Sequence, residues 1–150
     1  MTTIVHAIRA AGNHNIIVVL GCLWGNSEKV LLTHGRDLLK IDPDIVFDVH
    51  GYAWENDSTA KDVSRIAAVR KLDLCMIMGE FGPDTSSGIE NPANFIDAVL
   101  QTHTTTLAWY WNRGTDPNNM FDNSGNPVNN PSAYNWYDTV KAFIPKLDAK

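Results

Sequence analysis

The stretch IVFDVH at residues 45–50 decides the fold, because it is a continuous, largely apolar and β-branched run of strand length. A similar run, NIIVVL, occupies residues 15–20, and further runs follow at residues 74–78 and 105–111. Continuous apolar runs of this kind indicate strands buried on both faces, as in parallel sheets. The sequence therefore predicts four strands of one parallel sheet.

Helical segments separate the four predicted strands. The first predicted helix covers residues 4–11 and is stopped by Gly12 and Asn13, and the others span residues 27–40, 59–72, 92–103 and 133–144. Ser27 or Asn26 is the predicted N-cap of the second helix. Alternating strands and helices with short connections indicate βαβ crossovers, which fit an open doubly wound sheet or a piece of a closed barrel. No Gly-rich fingerprint follows the first strand, so a dinucleotide site has no support.

Composition narrows the class of protein. The 150 residues suit a single domain, and 44% hydrophobic with 19% charged residues excludes a disordered chain. A net charge of -5 without a basic cluster argues against nucleic-acid or anionic-membrane partners. The N-terminus lacks the plan of a signal peptide, and no run reaches the roughly 20 apolar residues of a membrane helix. Cys22 and Cys75 are expected to be buried thiols rather than a disulfide.

Aromatic and polar residues follow the end of each predicted strand. These residues are Trp24 after the first strand, His50 and Tyr52 after the second, Glu80 after the third, and Trp109 and Trp111 at the end of the fourth. Active sites of α/β barrels and open α/β sheets form at this carboxyl edge. Flat aromatic faces with a polar handle suit stacking on sugar rings as well as ordinary packing.

Glu80 carries the sharpest chemical signal, since it lies between two glycines in Gly79-Glu80-Phe81-Gly82. A histidine and a tyrosine reaching toward a carboxylate keep it ionised and oriented, as a nucleophile in glycoside hydrolysis requires. The alternatives are a surface or helix-capping glutamate and a satisfied buried pair of His50 and Tyr52. No cofactor is expected, and the five histidines show no metal-ligand spacing.

Residues 8–111 resemble the second half of glycoside hydrolase family 5, which includes β-mannanases and endo-β-1,4-glucanases. The matching pieces are IRAAG at residues 8–12, NIIVV at 15–19, WGN at 24–26, DP at 42–43, IVFDVHGY at 45–52, GEFG at 79–82 and LAWYW at 107–111. They occur in order and with plausible spacing across about two-thirds of the chain.

The resemblance implies strands five to eight of a TIM barrel that acts on a β-1,4-linked polysaccharide such as mannan or cellulose. It implies that Glu80 is the nucleophile of a retaining mechanism, flanked by His50 and Tyr52. Trp109 would be the sugar platform, followed by a non-proline cis peptide bond to Tyr110, and Trp24 would be a further subsite wall. The family suggests a secreted protein.

The resemblance leaves out the first half of the barrel, which carries the family's acid/base glutamate in an Asn-Glu motif. No Asn-Glu pair follows a predicted strand here. Glu28 and Glu90 are expected near helix starts, so Glu55 is the best remaining candidate acid. We therefore expect an inactive monomer, with a silent carbohydrate-binding half-barrel or an engineered folding fragment as the alternatives to an enzyme.

Four strand–helix units expose two sheet edges and the apolar interior of a barrel. The sequence therefore leads us to expect a homodimer in which two copies close one eight-stranded barrel about a two-fold axis.

Overall fold

A computed structural model describes residues 1–52, 54, 57–85, 88–89, 92–128 and 135–147 of the chain. The elements in chain order are α1 (Thr2–Ala10), β1 (Ile17–Leu20), α2 (Lys29–Ile41), β2 (Ile45–His50), α3 (Thr59–Arg70), β3 (Met76–Phe81), β4 (Asp84–Thr85), β5 (Gly88–Ile89), α4 (Ala93–Gln101), β6 (Thr106–Ala108) and α5 (Trp136–Leu147). None of the helices in these described ranges is long and apolar enough to cross a membrane.

Four strands form one parallel sheet in the order β1-β2-β3-β6, and helices alternate with them along the chain. The predicted parallel sheet is thus confirmed, and the architecture is one half of an α/β barrel. The short antiparallel pair β4 and β5 falls in a segment predicted to be a loop. Because the four strands are parallel, their carboxyl ends lie at the same edge of the sheet.

The two faces of the sheet differ sharply in burial. Along β2, Ile45, Phe47 and Val49 are buried in the core that the helices cover, and the alternate residues are half-buried. We call the face away from the helices the open face; its side chains are Val18, Leu20, Val46, Asp48, His50, Ile77, Glu80 and Leu107. Its apolar members on the edge strands β1 and β6 are exposed to solvent.

The start of α2 differs from the prediction. Glu28 is the N-cap, whereas Ser27 and Asn26 were the predicted candidates. Ser27 pairs with Cys22 in an isolated β-bridge, so its backbone belongs to the preceding turn. Its hydroxyl still accepts a long hydrogen bond (3.4 Å) from the Lys29 N–H. By contrast, α3 begins with a side-chain cap, because the Ser58 hydroxyl accepts from the Lys61 N–H at 3.3 Å.

The prediction of two buried thiols is wrong for Cys75 and only half right for Cys22. Both cysteines are free, Cys75 is exposed and Cys22 is half-buried. Cys75 lies between the buried Leu74 and Met76, so alternation turns its side chain away from the core. Cys22 lies in the turn after β1, where its sulfur is 3.6 Å from the Ser27 carbonyl oxygen.

The last strand and the last helix are displaced from their predicted bounds. β6 ends at Ala108 because the chain then turns toward the following loop, where the Tyr110 N–H donates to the Asn118 carbonyl. α5 begins at Trp136, and the predicted start at residue 133 lies outside the described residues.

Asp62 on α3 should make the stability of the fold depend on pH. It is fully buried, and neither carboxylate oxygen has a hydrogen-bond partner in the described part of the chain. Burial, assisted by the Asp57 carboxylate, raises the pKa of Asp62 to about 7 from its ordinary value of 3.8. A raised folded-state pKa means that stability present below the unfolded pKa is lost as the pH rises through about 7.

We predict that the free energy of unfolding of Asp62→Asn, relative to that of the unsubstituted chain, rises by about 1–3 kcal/mol when the pH is raised from about 5 to about 8. Urea unfolding at both pH values measures the difference, with Asp97→Asn on the exposed surface of α4 as the control. Parallel pH profiles for the Asp62 variant and the unsubstituted chain would contradict the assignment.

Candidate functional site

Glu80, His50 and Tyr52 lie together at the carboxyl edge of the sheet. The Tyr52 hydroxyl donates a hydrogen bond to Glu80 Oε2 at 3.2 Å, and His50 Nδ1 lies 3.6 Å from the same oxygen. His50 and Glu80 are also cross-strand partners of β2 and β3. The distance from His50 is too long for a direct hydrogen bond, so Tyr52 makes the closer contact. The side chain of His50 is largely buried and that of Glu80 is 27% exposed, so the carboxylate keeps some contact with solvent.

A β-bulge at Gly79 turns Glu80 onto the open face. Val49 pairs with Met78, yet the next residue on β2, His50, pairs with Glu80, so Gly79 is one extra residue on β3. Met78 and Phe81 are both buried against the helices. In a regular strand Glu80 would share the face of Met78, two residues earlier. The sequence placed Glu80 after the strand, whereas it lies inside β3 and is redirected by the bulge.

Asp48 belongs to the site and was missed by the sequence analysis. It lies on β2 two residues before His50, and its Oδ1 accepts the Gly79 N–H at 2.7 Å. Its Oδ2 lies 3.6 Å from His50 Nε2. The available signal was its charge within the otherwise apolar run IVFDVH, at the position that alternation assigns to the face of His50.

The loop after β1 fixes the backbone and ring of His50. The His50 N–H donates to the Gly25 carbonyl at 2.9 Å. Gly25 has a φ of +86°, and a Cβ there would lie 2.8 Å from both His50 Cγ and Leu20 Cδ1. Glycine is therefore required by conformation and by close packing at the same position.

The aromatic side chains at the strand ends differ in what they contact. Trp24 is 88% exposed and Trp109 41% exposed. Trp109 follows β6, its N–H donates to the carbonyl of Phe81 next to Glu80, and its ring lies 4.6 Å from that of Tyr110. The peptide bond between them is cis, as the family resemblance implied.

Trp111 and Trp54 are held in other surroundings. Trp111 is largely exposed, and its ring contacts within the described ranges are to Phe121 at 4.7 Å and Tyr137 at 6.3 Å, on the side of α5. Trp54 is fully buried, and the Arg65 guanidinium lies 3.6 Å from its ring centroid. Trp54 is therefore a packing residue, whereas Trp24, Trp109 and Trp111 keep exposed ring surface after the ends of β1 and β6.

Glu28 is committed to an ion pair. Arg65 donates to its two carboxylate oxygens at 2.7 and 3.1 Å. Although burial opposes the charge, the hydrogen bonds from Arg65 hold the pKa of Glu28 below its ordinary value. Glu55 and Glu90, the other two glutamates besides Glu80, lie outside the described residues, so the predicted acid Glu55 stays a prediction.

The fold and the edge define a half of an α/β barrel with a tyrosine-bound carboxylate at the end where barrel enzymes place their active sites. Residues 1–115 match the cellulase family, glycosyl hydrolase family 5, and the chain belongs to that family.

The similar proteins include several mannanases. Over 110 residues the chain is 26% identical to a mannan endo-1,4-beta-mannosidase of Salipaludibacillus agaradhaerens. The match covers 72% of this chain and 36% of the relative. A beta-mannanase from Streptomyces thermolilacinus, solved with mannohexaose, superposes with a TM-score of 0.77 at 22% identity over 99% of this chain and 49% of that one.

The catalytic domain of the mannanase from Streptomyces sp. SirexAA-E gives a TM-score of 0.73 at 26% identity over 93% of this chain and 44% of that one. The chain thus spans half or less of the length of these relatives. The structural likeness extends the half-barrel beyond the residues matched by the family, to nearly the whole chain.

Gly25→Ala should disturb the site more than a matched glycine substitution elsewhere. Gly12 has a similar φ of +80°, but a Cβ there would meet nothing within 4 Å. Both alanine variants bear the cost of a positive φ, and only Gly25→Ala adds a clash with His50 and Leu20. We predict that Gly25→Ala lowers the free energy of unfolding by about 1–3 kcal/mol more than Gly12→Ala.

Urea unfolding measures both substitutions, and the imidazole NMR signals of His50 should shift in the Gly25 variant alone. Equal losses of stability would mean that the loop after β1 does not hold the His50 ring.

Proposed function

We propose that the chain forms the nucleophile-bearing half of a retaining β-glycoside hydrolase acting on β-1,4-linked mannan, with Glu80 as the nucleophile. The observation that carries this proposal is the hydrogen bond from the Tyr52 hydroxyl to Glu80 Oε2 at the carboxyl edge of a family 5 half-barrel. Mannan is favoured over cellulose because the similar proteins named above are mannanases.

The arrangement suits the first step of a double displacement. The donated hydrogen bond orients the carboxylate of Glu80 and occupies Oε2, which leaves Oε1 to attack the anomeric carbon. A covalent glycosyl-enzyme then forms as the glycosidic C–O bond breaks, and the leaving oxygen takes a proton from a second carboxyl group. Water hydrolyses the intermediate with that second group as the base.

The second carboxyl group must lie about 5–5.5 Å from the nucleophile in a retaining enzyme. In the described part of the chain, Glu28 is bound to Arg65, and Asp48 accepts the Gly79 N–H deeper in the sheet. The acid therefore comes from residues other than these two, and Glu55, outside the described residues, stays the predicted candidate within this chain. The resemblance places the family's acid/base glutamate in the missing first half, so we expect this chain alone to cleave an unactivated polysaccharide poorly.

Trp109 and Trp24 are proposed to bind the sugar chain. Trp109 presents a partly exposed ring beside the residue that follows Glu80, and Trp24 is almost fully exposed after β1. Such rings stack on the apolar faces of sugars. Trp111 was predicted to join them, and it is proposed to do so, because its ring is 73% exposed while it contacts Phe121 and Tyr137.

A second candidate function is sugar binding without hydrolysis. It is favoured by the ion pair that occupies Glu28 and by the hydrogen bond that occupies Asp48, because neither carboxylate stands free beside Glu80.

An activated substrate separates the two functions, because 2,4-dinitrophenolate leaves without a proton from an acid. We predict that 2,4-dinitrophenyl β-mannobioside releases a burst of dinitrophenolate and adds one mannobiosyl group to the peptide containing Glu80, as mass spectrometry would detect. Glu80→Gln should abolish both signals, and Asp97→Asn, on the exposed surface of α4, should leave them unchanged.

Equal release by the Glu80 variant would exclude Glu80 as the nucleophile. Quenching of tryptophan fluorescence by mannohexaose without any burst would instead support the binding function.

We further propose that a second copy of the chain covers the open face. Two copies supply eight parallel strands, the number that closes a barrel filled by its own side chains. The exposed apolar residues on the edge strands β1 and β6 would then be buried against their counterparts, and the free backbone groups of both edges would be paired.

Sedimentation equilibrium at micromolar concentration should give twice the chain mass of 16.6 kDa. Val18 on the open face and Ile4 on α1 are both 54% exposed, which makes them a matched pair. We predict that Val18→Glu produces monomers and that Ile4→Glu preserves the dimer. A monomeric unsubstituted chain would rule out the dimer.

A further inference from the structure

The bulge on β3 leaves one backbone donor without a partner in the ladder. A bulged residue is not paired across the strands, and a buried N–H without a partner is costly. The Gly79 N–H is instead bound at 2.7 Å by Oδ1 of Asp48, a side chain of the neighbouring strand. A hydrogen bond to a carboxylate is shorter and stronger than a neutral one. The geometry of the bulge therefore depends on one side chain of β2.

Asp48 lies against two of the groups around Glu80, the Gly79 peptide nitrogen and the His50 ring. Its Oδ1 holds the peptide nitrogen of Gly79, one residue before Glu80, and its Oδ2 lies 3.6 Å from His50 Nε2. The other ring nitrogen of His50 faces Glu80 Oε2 at the same distance. Asp48 is only 16% exposed, so this carboxylate is kept for contacts within the sheet rather than for water.

Gly79 and Asp48 fit each other sterically. A Cβ atom on Gly79 would overlap both carboxylate oxygens of Asp48. The glycine is required here by the close approach of a side chain, since Gly79 is not among the residues with positive φ. The pair therefore behaves as one unit, in which the small residue makes room for the carboxylate that binds it.

We infer that Asp48 is a positioning residue that keeps Glu80 turned toward the open face, by binding the bulged Gly79 N–H and steadying His50. The effect on reactivity rests on the proposed function of Glu80, whereas the structural effect does not. Loss of Asp48 should leave the strands paired but allow the Gly79–Glu80 segment to move, and a displacement of about 1 Å at a reacting group costs up to about 100-fold in rate.

The first experiment compares Asp48→Asn and Asp48→Ala with Asp122→Asn, whose carboxylate also accepts a backbone N–H at 2.8 Å but lies in an exposed loop. Amide exchange by NMR should show the Gly79 N–H protected in the unsubstituted chain and at least about 10-fold less protected in Asp48→Ala. Asp48→Asn keeps an acceptor oxygen and should retain part of the protection.

Labelling by the activated mannobioside gives the second measurement. The first-order rate constant for modification of Glu80 should fall about 10–100-fold in Asp48→Ala, with a smaller fall in Asp48→Asn and little change in the half-saturating concentration. A purely structural role would change both constants together or neither. Labelling of Asp48→Ala at the unsubstituted rate would overturn the inference.

A double substitution tests the inference without any activity. Gly79→Ala should lower the urea midpoint strongly in the unsubstituted chain and less in the Asp48→Ala background, where the overlapping oxygens are gone. Equal losses in both backgrounds, or unchanged Gly79 protection in Asp48→Ala, would overturn the inference. If the unsubstituted chain is never labelled, the proposed function fails, and exchange and stability still decide the role of Asp48.

Discussion

One extra residue in β3 is the constraint on which the site depends. Met78 and Phe81 both enter the helix-covered core, which a regular alternation across this interval does not allow. Gly79 is the extra residue that makes this possible, and Glu80 is thereby turned to the opposite face. The core and the site are thus fixed by the same backbone irregularity, because burying Phe81 among Phe95 and Trp136 also sets the direction of Glu80.

A second group of contacts holds the loops that carry the site. Arg65 on α3 pairs with Glu28 at the start of α2, pairs with Asp57 in the loop after β2, and lies over the ring of Trp54. The Trp54 indole in turn donates to the Asn26 carbonyl at 3.3 Å. Because these charges are largely buried and share hydrogen bonds, removing one partner would leave the others unsatisfied. The loops after β1 and β2 are therefore tied to one side chain behind the sheet.

The sequence was sufficient for the parallel sheet, because apolar runs separated by amphipathic segments have few other solutions. It also brought His50, Tyr52 and Glu80 together, since residues at the ends of parallel strands share one edge. The bulge was not predictable, because in MIMGEF both faces of the strand accept apolar residues and alternation gives no register.

Other errors came from contacts that the sequence pattern does not reveal. The N-cap falls at Glu28 because a β-bridge to Cys22 holds Ser27 in the preceding turn, and the early end of β6 depends on a hydrogen bond to Asn118. The exposure of Cys75 follows from alternation between Leu74 and Met76, but a continuous apolar run gives no sign of which of its residues face outward. Asp48 was missed because its partner, the Gly79 N–H, is left without a partner strand only by the bulge.

The open face changes character from one end of its strands to the other. At the amino end Val18 pairs with Val46, whereas at the carboxyl end His50 pairs with Glu80. The open face therefore presents an apolar surface at the amino end of its strands and a polar surface at the carboxyl end. The residues proposed for assembly and those proposed for chemistry are consequently different sets on the same strands, so one set can change without altering the other.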